Sequence, residues 1–476
     1  MENNRHNNLD MLEHGDINKL LLRFCLPSLA SSLVTSVYNI VDQLFIGNST
    51  GVLGNAATNV IFPVITLLTS LSLMIGVGAS AAFNLSMGRG EEDKAHRIVG
   101  NAFFLMISFG ILLTLLLLIW TKPILYMLGC TDEVYPYAAK YSRIISLGFA
   151  LSIIGASGPF IIRADGSPNY ALVCTVTGAL LNIALDAVLV AGLHMGITGA
   201  AWATVISQAV SAAMVIAYLP TFKTFCLTPG NFILAPRLSG NLCLLGAGPA
   251  FNFLTQAVTQ VMLNQVLVIY GAQSIYGAEN CLAAAGVAAK VSTIASAVVQ
   301  GLTNGMQPII SYNYGKKNYR RVIMTARRVI RLILIIGFVI FLMYEFIPVQ
   351  ITKMFGTGSE IYYEFAAKYF RIFFMLIALN GLQSSVGGFF SAQGRPGMSI
   401  LISFVRQVAF LPPLLIVLPK FFGLNGVLFS GPIADLAMAL TAVFLLIREF
   451  RKLDEAAGKN DKEDPAASGG SGSADK

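Results

Sequence analysis

Two carboxylic acids stand in segments that are otherwise apolar: Asp42 in TSVYNIVDQLFIG and Asp186 in LLNIALDAVLVAG. Each has a polar partner four residues earlier, Tyr38 before Asp42 and Asn182 before Asp186. In a helix that spacing stacks both members of a pair on one stripe. Thr204 and Gln208 repeat the spacing further along the chain. A carboxylate with a neutral oxygen one turn away can take up a proton, accept Na⁺ or attract an organic cation. Two such acids facing one cavity would exchange their ions as a coupled unit. The competing role is a buried hydrogen bond between helices, or a place at the membrane edge. The late position of Asp42 in its helix suits that role better than the mid-helix position of Asp186.

The elements that must hold these groups are membrane helices. The chain has 476 residues, 55% hydrophobic and 12% charged, with mean hydropathy +0.70. Soluble proteins carry about twice that charge fraction. Uncharged stretches run over 98–121, 187–222 and 238–278, and about 20 such residues cross a bilayer. An acid at that depth costs roughly 2.5–3.5 kcal/mol, so each one calls for a function. Twelve helices are expected, over 19–46, 53–86, 97–121, 135–163, 168–192 and 199–220, then 240–270, 282–312, 325–347, 362–391, 397–418 and 424–447. Residues 1–18 are polar and carry no cleavable signal. With the N-terminus inside, 23 of the 32 Lys and Arg residues fall in inner segments, which places both termini in the cytoplasm. The net charge of +8 thus reads as an orientation signal rather than as affinity for nucleic acid.

The chain is also written twice. A shift of 227 or 228 residues sets Ala138-Ala139-Lys140-Tyr141 on Ala366-Ala367-Lys368-Tyr369, Ala164-Asp165-Gly166 on Ala392-Gln393-Gly394, and Gly88 on Gly315. A shift of 222 sets Pro27 on Pro249 and Asp42 on Asn264. Six spans per copy is an even number, so the repeats are parallel, related by an axis along the membrane normal. The fold class is therefore all-α integral membrane, with twelve helices in two parallel-repeat six-helix bundles. The boundaries are 1–18 cytoplasmic N-terminus, 19–222 first lobe, 223–238 cytoplasmic linker, 239–448 second lobe and 449–476 disordered cytoplasmic tail.

The second copy lacks the acids: Asn264 replaces Asp42, and Pro413 or Leu414 falls where Asp186 stood. It carries neutral stripes instead, Asn252, Gln256, Gln260 and Asn264, then Ser292, Ser296, Gln300 and Asn304. These suit a substrate cavity at Gln256, Gln260, Asn264, Ser296 and Gln300, or equally hydrogen bonds between helices. Lys290, Arg406 and Asp435 are its buried ions, with Lys290 and Arg406 snorkelling or pairing with Asp435, and contact with substrate the weaker reading. Six cysteines show no CxxC or metal spacing, although Cys130 and Cys281 both map to the outer face, where pairing is open. With no metal cluster, phosphate loop or nucleophile triad, an enzyme is not expected.

Together, Tyr38-Asn39-Ile40-Val41-Asp42 with Gly47, Arg163-Ala164-Asp165-Gly166, Leu181-Asn182 with Asp186, and Gly199-Ala200-Ala201 through Thr204 resemble the multidrug and toxic compound extrusion (MATE) family, in its DinF-like branch. The resemblance spans about 19–448. It implies two six-helix lobes in a V that export lipophilic, often cationic, small molecules in exchange for H⁺ or Na⁺ by alternating access. It also implies a monomer among the lipids of a bacterial inner membrane, with no cofactor besides the coupling ion and no nucleic-acid partner. By motif match it assigns ion coupling, including any Na⁺, to Asp42, Asn182, Asp186 and Thr204, with Tyr38 nearby. One departure is Ser157-Gly158, where relatives often have an Asn. A lipid-linked oligosaccharide or lipid flippase of the same superfamily is the alternative, but twelve spans and two buried acids argue against it.

Overall fold

The computed structural model describes residues 11–223, 228–355 and 358–463, and among them the secondary structure is helical throughout. Six helices form the first lobe: α1 (Ile17–Gly47), α2 (Leu53–Gly88), α3 (Glu92–Ile119), α4 (Tyr135–Leu147 with Phe149–Ala164, bent by 55°), α5 (Pro168–Gly192) and α6 (Gly196–Thr221). The second lobe repeats them as α7 (Pro236–Ala272), α8 (Ala278–Gly315), α9 (Tyr319–Phe346), α10 (Glu360–Phe373 with Ile377–Ala392, bent by 50°), α11 (396–422) and α12 (424–459). Nine of the described helices are long and apolar enough to cross a membrane, or eleven with each bent pair counted as a span. The last of these, Pro396–Lys459, is itself two: the chain reverses at Gly423 (φ 55°), after which Gly426 lies against the Leu418 carbonyl. Twelve spans result.

Local sequence explains where these helices start and turn. Proline opens α5, α7 and α11, where its missing N–H has no partner to lose. The Asp16 carboxylate caps α1 by accepting from Lys19 N at 3.0 Å. Gly166 and Gly394, equivalent in the two copies, both take positive φ (85° and 80°) at the turn into the fifth helix of each lobe. The tail departs from expectation. Helix α12 runs on as regular helix to Glu463 because Leu453 is buried in the second lobe's core; residues 464–476 lie outside the described set, as does Cys226. Cys130 and Cys281 are buried and free, each within the core of a different lobe, which answers the open question of their pairing.

The lobes touch where glycine lets backbones meet. A Cβ on Gly78 of α2 would lie 1.9 Å from Leu242 O of α7, and one on Gly246 of α7 would lie 1.8 Å from Met74 O. Across the pseudo-symmetric crossing, a Cβ on Gly301 or Gly305 of α8 would meet Leu29 or Cys25 of α1 at 2.4 and 2.5 Å from Cα. Gly88 and its repeat equivalent Gly315 touch each other, which puts both on the axis relating the lobes. All these residues lie in the half of the molecule that carries the chain termini. A strap reinforces that end: Arg321 Nη2 donates to the carbonyls of Leu12 (3.3 Å) and Gly15 (2.7 Å), and Lys316 pairs with Glu13 at 3.2 Å. In the opposite halves of the same helices, Leu67, Val261 and Lys290 are exposed. The lobes therefore enclose a cleft that opens away from the termini.

Candidate functional site

Asp42 on α1 and Asp186 on α5 meet inside the first lobe, close enough to share a hydrogen bond when one of them is protonated. Asp42 is thirteen residues from Leu29, about 140° around the helix from the face that crosses α8. It therefore points into its own lobe, away from the cleft. Asp186 is fully buried, with Asn182 one turn before it at 2% exposure. A π-helical turn, Asp186–Gly192, begins at the acid; such bulges are frequent at functional sites because they re-aim side chains without ending the helix. Tyr38 lies beside Asp42.

The arrangement is rich in acceptors and poor in donors. Asp42 Oδ1, Asn182 Oδ1 and both carboxylate oxygens of Asp186 are buried with no hydrogen-bond partner. Buried oxygens of this kind are costly unless something electropositive joins them. A proton or a small cation with hard oxygen ligands fits the set; a thiophilic metal does not. Among the described residues, no group of three His, Cys, Asp or Glu could hold a metal. Thr204, also expected here, turns its hydroxyl back to Ala200 O at 3.0 Å, leaving its lone pairs as the available function. Ser157, at the departure from the family pattern, donates instead to Ser72 O of α2 at 2.8 Å.

Sequence reading missed two parts of this site. Tyr141 on α4, at 4% exposure, faces both acids and Tyr38; its place in the repeated Ala-Ala-Lys-Tyr was the available signal. One turn beyond each polar residue, away from the termini, sits a buried apolar one: Ile46 after Asp42, Val190 after Asp186 and Ala200 before Thr204. With Phe45 these form a small cluster that covers the acids on the side toward the open end.

The second lobe resolves its charges differently. Arg406, on the π-helical turn Val405–Phe410 of α11, donates Nε to Asp435 Oδ1 of α12 at 2.5 Å, and Asn380 Nδ2 of α10 donates to the same oxygen at 3.2 Å. Lys290, expected to be buried, is exposed and joins no ion pair with a described residue, since Arg406 already satisfies Asp435. The expected cavity residues divide. Asn264 and Gln260, hydrogen-bonded at 3.0 Å, lie on the α7 face that crosses α2 lower down, and Gln256 is exposed beside them. Ser296 is exposed and Gln300 half-buried on α8, toward the helix face of Thr303, which packs on Gly388 of α10.

Comparisons with known proteins agree with this architecture. The family model MatE matches residues 27–188 and 252–416. The chain is 25% identical over 435 residues to multidrug export protein MepA of Staphylococcus haemolyticus (strain JCSC1435), covering 91% of this chain and 94% of that one. It is also 25% identical over 461 residues to the Staphylococcus saprophyticus protein of the same name, covering 93% and 97%. An outward-facing multidrug resistance MATE family transporter of the MOP superfamily superposes with a TM-score of 0.86 at 21% identity, over 94% of this chain and 98% of that chain. A MATE protein in the straight conformation gives a TM-score of 0.86 at 20% identity, over 94% and 98%. Two repeated six-helix lobes, the MATE fold and a family model matching both copies lead to one conclusion: the chain belongs to the MatE family of membrane transporters.

Proposed function

We propose that this protein is a secondary active antiporter that exports lipophilic small molecules in exchange for H⁺ or Na⁺, with both termini cytoplasmic. The observation that carries this reading is the set of four buried, unpartnered oxygens on Asp42, Asn182 and Asp186, confined to one lobe. Such a set has one inexpensive way to be satisfied, which is to take up a cation. With the termini inside, the glycine seam closes the cytoplasmic end and the cleft opens outward. An ion entering from outside neutralises the acids, the first-lobe helices around the π-helical turn readjust, and substrate leaves. Return to the inward-facing form separates the seam and releases the ion.

Energetics favour keeping both acids. One charge crossing about 100 mV is worth about 2.3 kcal/mol, and one pH unit about 1.36 kcal/mol. Swapping one ion for one monovalent cation is electroneutral, so the voltage contributes nothing. A second ion per substrate recovers it, and two facing carboxyl groups provide for two. Asp42→Asn and Asp186→Asn should each abolish ion-driven dye exchange in proteoliposomes while the protein stays folded by gel filtration. Exchange that persists at the wild-type rate in both variants would remove the site from the mechanism.

A further inference from the structure

Lys290 is a cation in a membrane helix with no ion-pair partner among the described residues, a costly placement that calls for a use. Its direction follows from helix phase. It is eleven residues from Gly301, about 20° around the helix and roughly 16 Å nearer the open end. No proline interrupts 290–301. Gly301 is the point where α8 crosses α1, so Lys290 projects from the same face where the lobes have parted, into the cleft. Leu67 of α2 holds the equivalent place on the facing lobe, eleven residues from the Gly78 crossing, and is exposed as Lys290 is.

The charge around it is one-sided. Of the charged residues on α1, α2, α7 and α8, Lys19, Arg23 and Arg237 lie at the termini end and Glu279 in the first turn of α8, which leaves Asp42 and Lys290 at depth. Asp42 turns into its lobe and faces Asp186. Toward the same open end α2 and α7 expose the apolar Leu67 and Val261, and α7 carries the neutral amides of Gln260 and Asn264 on the face that crosses α2.

We propose that Lys290 is a substrate-binding residue that pairs with an anionic group, and that the cleft selects amphiphiles carrying a carboxylate beside any cationic centre over purely cationic ones. The site's role in export rests on the function proposed above; its anion binding does not. Lys290 is exposed, so its replacement leaves packing intact.

Rhodamine 110 and its methyl ester rhodamine 123 share one ring system and differ in the free carboxylate, which isolates the interaction. Fluorescence anisotropy on the purified full-length protein should show Lys290→Met weakening rhodamine 110 binding about tenfold, as expected for a lost charge-assisted hydrogen bond, with rhodamine 123 unchanged or tighter. Lys290→Arg should retain the preference and Lys290→Glu should reverse it. A ratio of the two affinities that is the same in wild type, Lys290→Met and Lys290→Glu overturns the proposal, as does failure of the wild type to bind rhodamine 110. Binding with the expected pattern but no export of either dye from proteoliposomes would overturn the antiport reading and leave the anion site standing.

Discussion

At the residue scale, the two lobes treat a buried acid in opposite ways. Asp435 receives a guanidinium and an amide from its own lobe, whereas Asp42 and Asp186 receive no donor among the described residues. A group satisfied internally has no need of an exchangeable ion. Removing one partner of a buried pair costs about 3–5 kcal/mol, because the other charge is stranded. Arg406→Met should therefore lower the thermal unfolding temperature in detergent markedly, and adding Asp435→Asn should recover most of the loss. Equal destabilisation by the single and double variants would mean that Arg406 matters for packing rather than charge. The sequence displayed the four charged side chains, Asp42, Asp186, Arg406 and Asp435, but did not single out Asn380. It could not show the pairing, because Arg406 and Asp435 lie 29 positions apart on different helices.

At the element scale, most of the helices were legible because apolar runs and Gly/Pro breaks set their lengths. Their exceptions have local causes. The π-helical turns at Asp186–Gly192 and Val405–Phe410 shift the register of α5 and α11 within a continuous apolar pattern, so hydropathy carries no trace of them. The polar stripe of α8 was visible as spacing, yet spacing alone does not reveal which neighbour a stripe faces. The glycine crossings depend on two helices at once. A Cβ on Gly301 would sit 2.4 Å from the Leu29 backbone, whereas one on Gly286 of the same helix would meet nothing within 4 Å. Gly301→Leu should destabilise the protein by about 1–3 kcal/mol through overpacking, and Gly286→Leu should leave the unfolding temperature near wild type. If both substitutions behave alike, the seam is looser than these distances imply.

At the scale of the whole molecule, the cleft's direction makes a separate prediction. In a cysteine-free background, a membrane-impermeant thiol reagent added outside cells should label Leu67→Cys and Val261→Cys quickly, because both positions are exposed at the open end. Ser28→Cys, fully buried beside the α8 crossing, should stay protected. Fast labelling of Ser28→Cys from outside would contradict a closed cytoplasmic end. The sequence by itself determined the membrane class, the spans, the duplication and the confinement of the acid pair to one copy. Those follow from composition and from comparing the chain with itself. Only the tertiary structure decided that Asp42 and Asp186 face each other inside a lobe, that Tyr141 joins them, and that Lys290 is exposed without an ion pair among the described residues. The reason is geometric: each fact depends on the rotation of one helix relative to another, and a one-dimensional pattern fixes the period of a helix but not the neighbour its face meets.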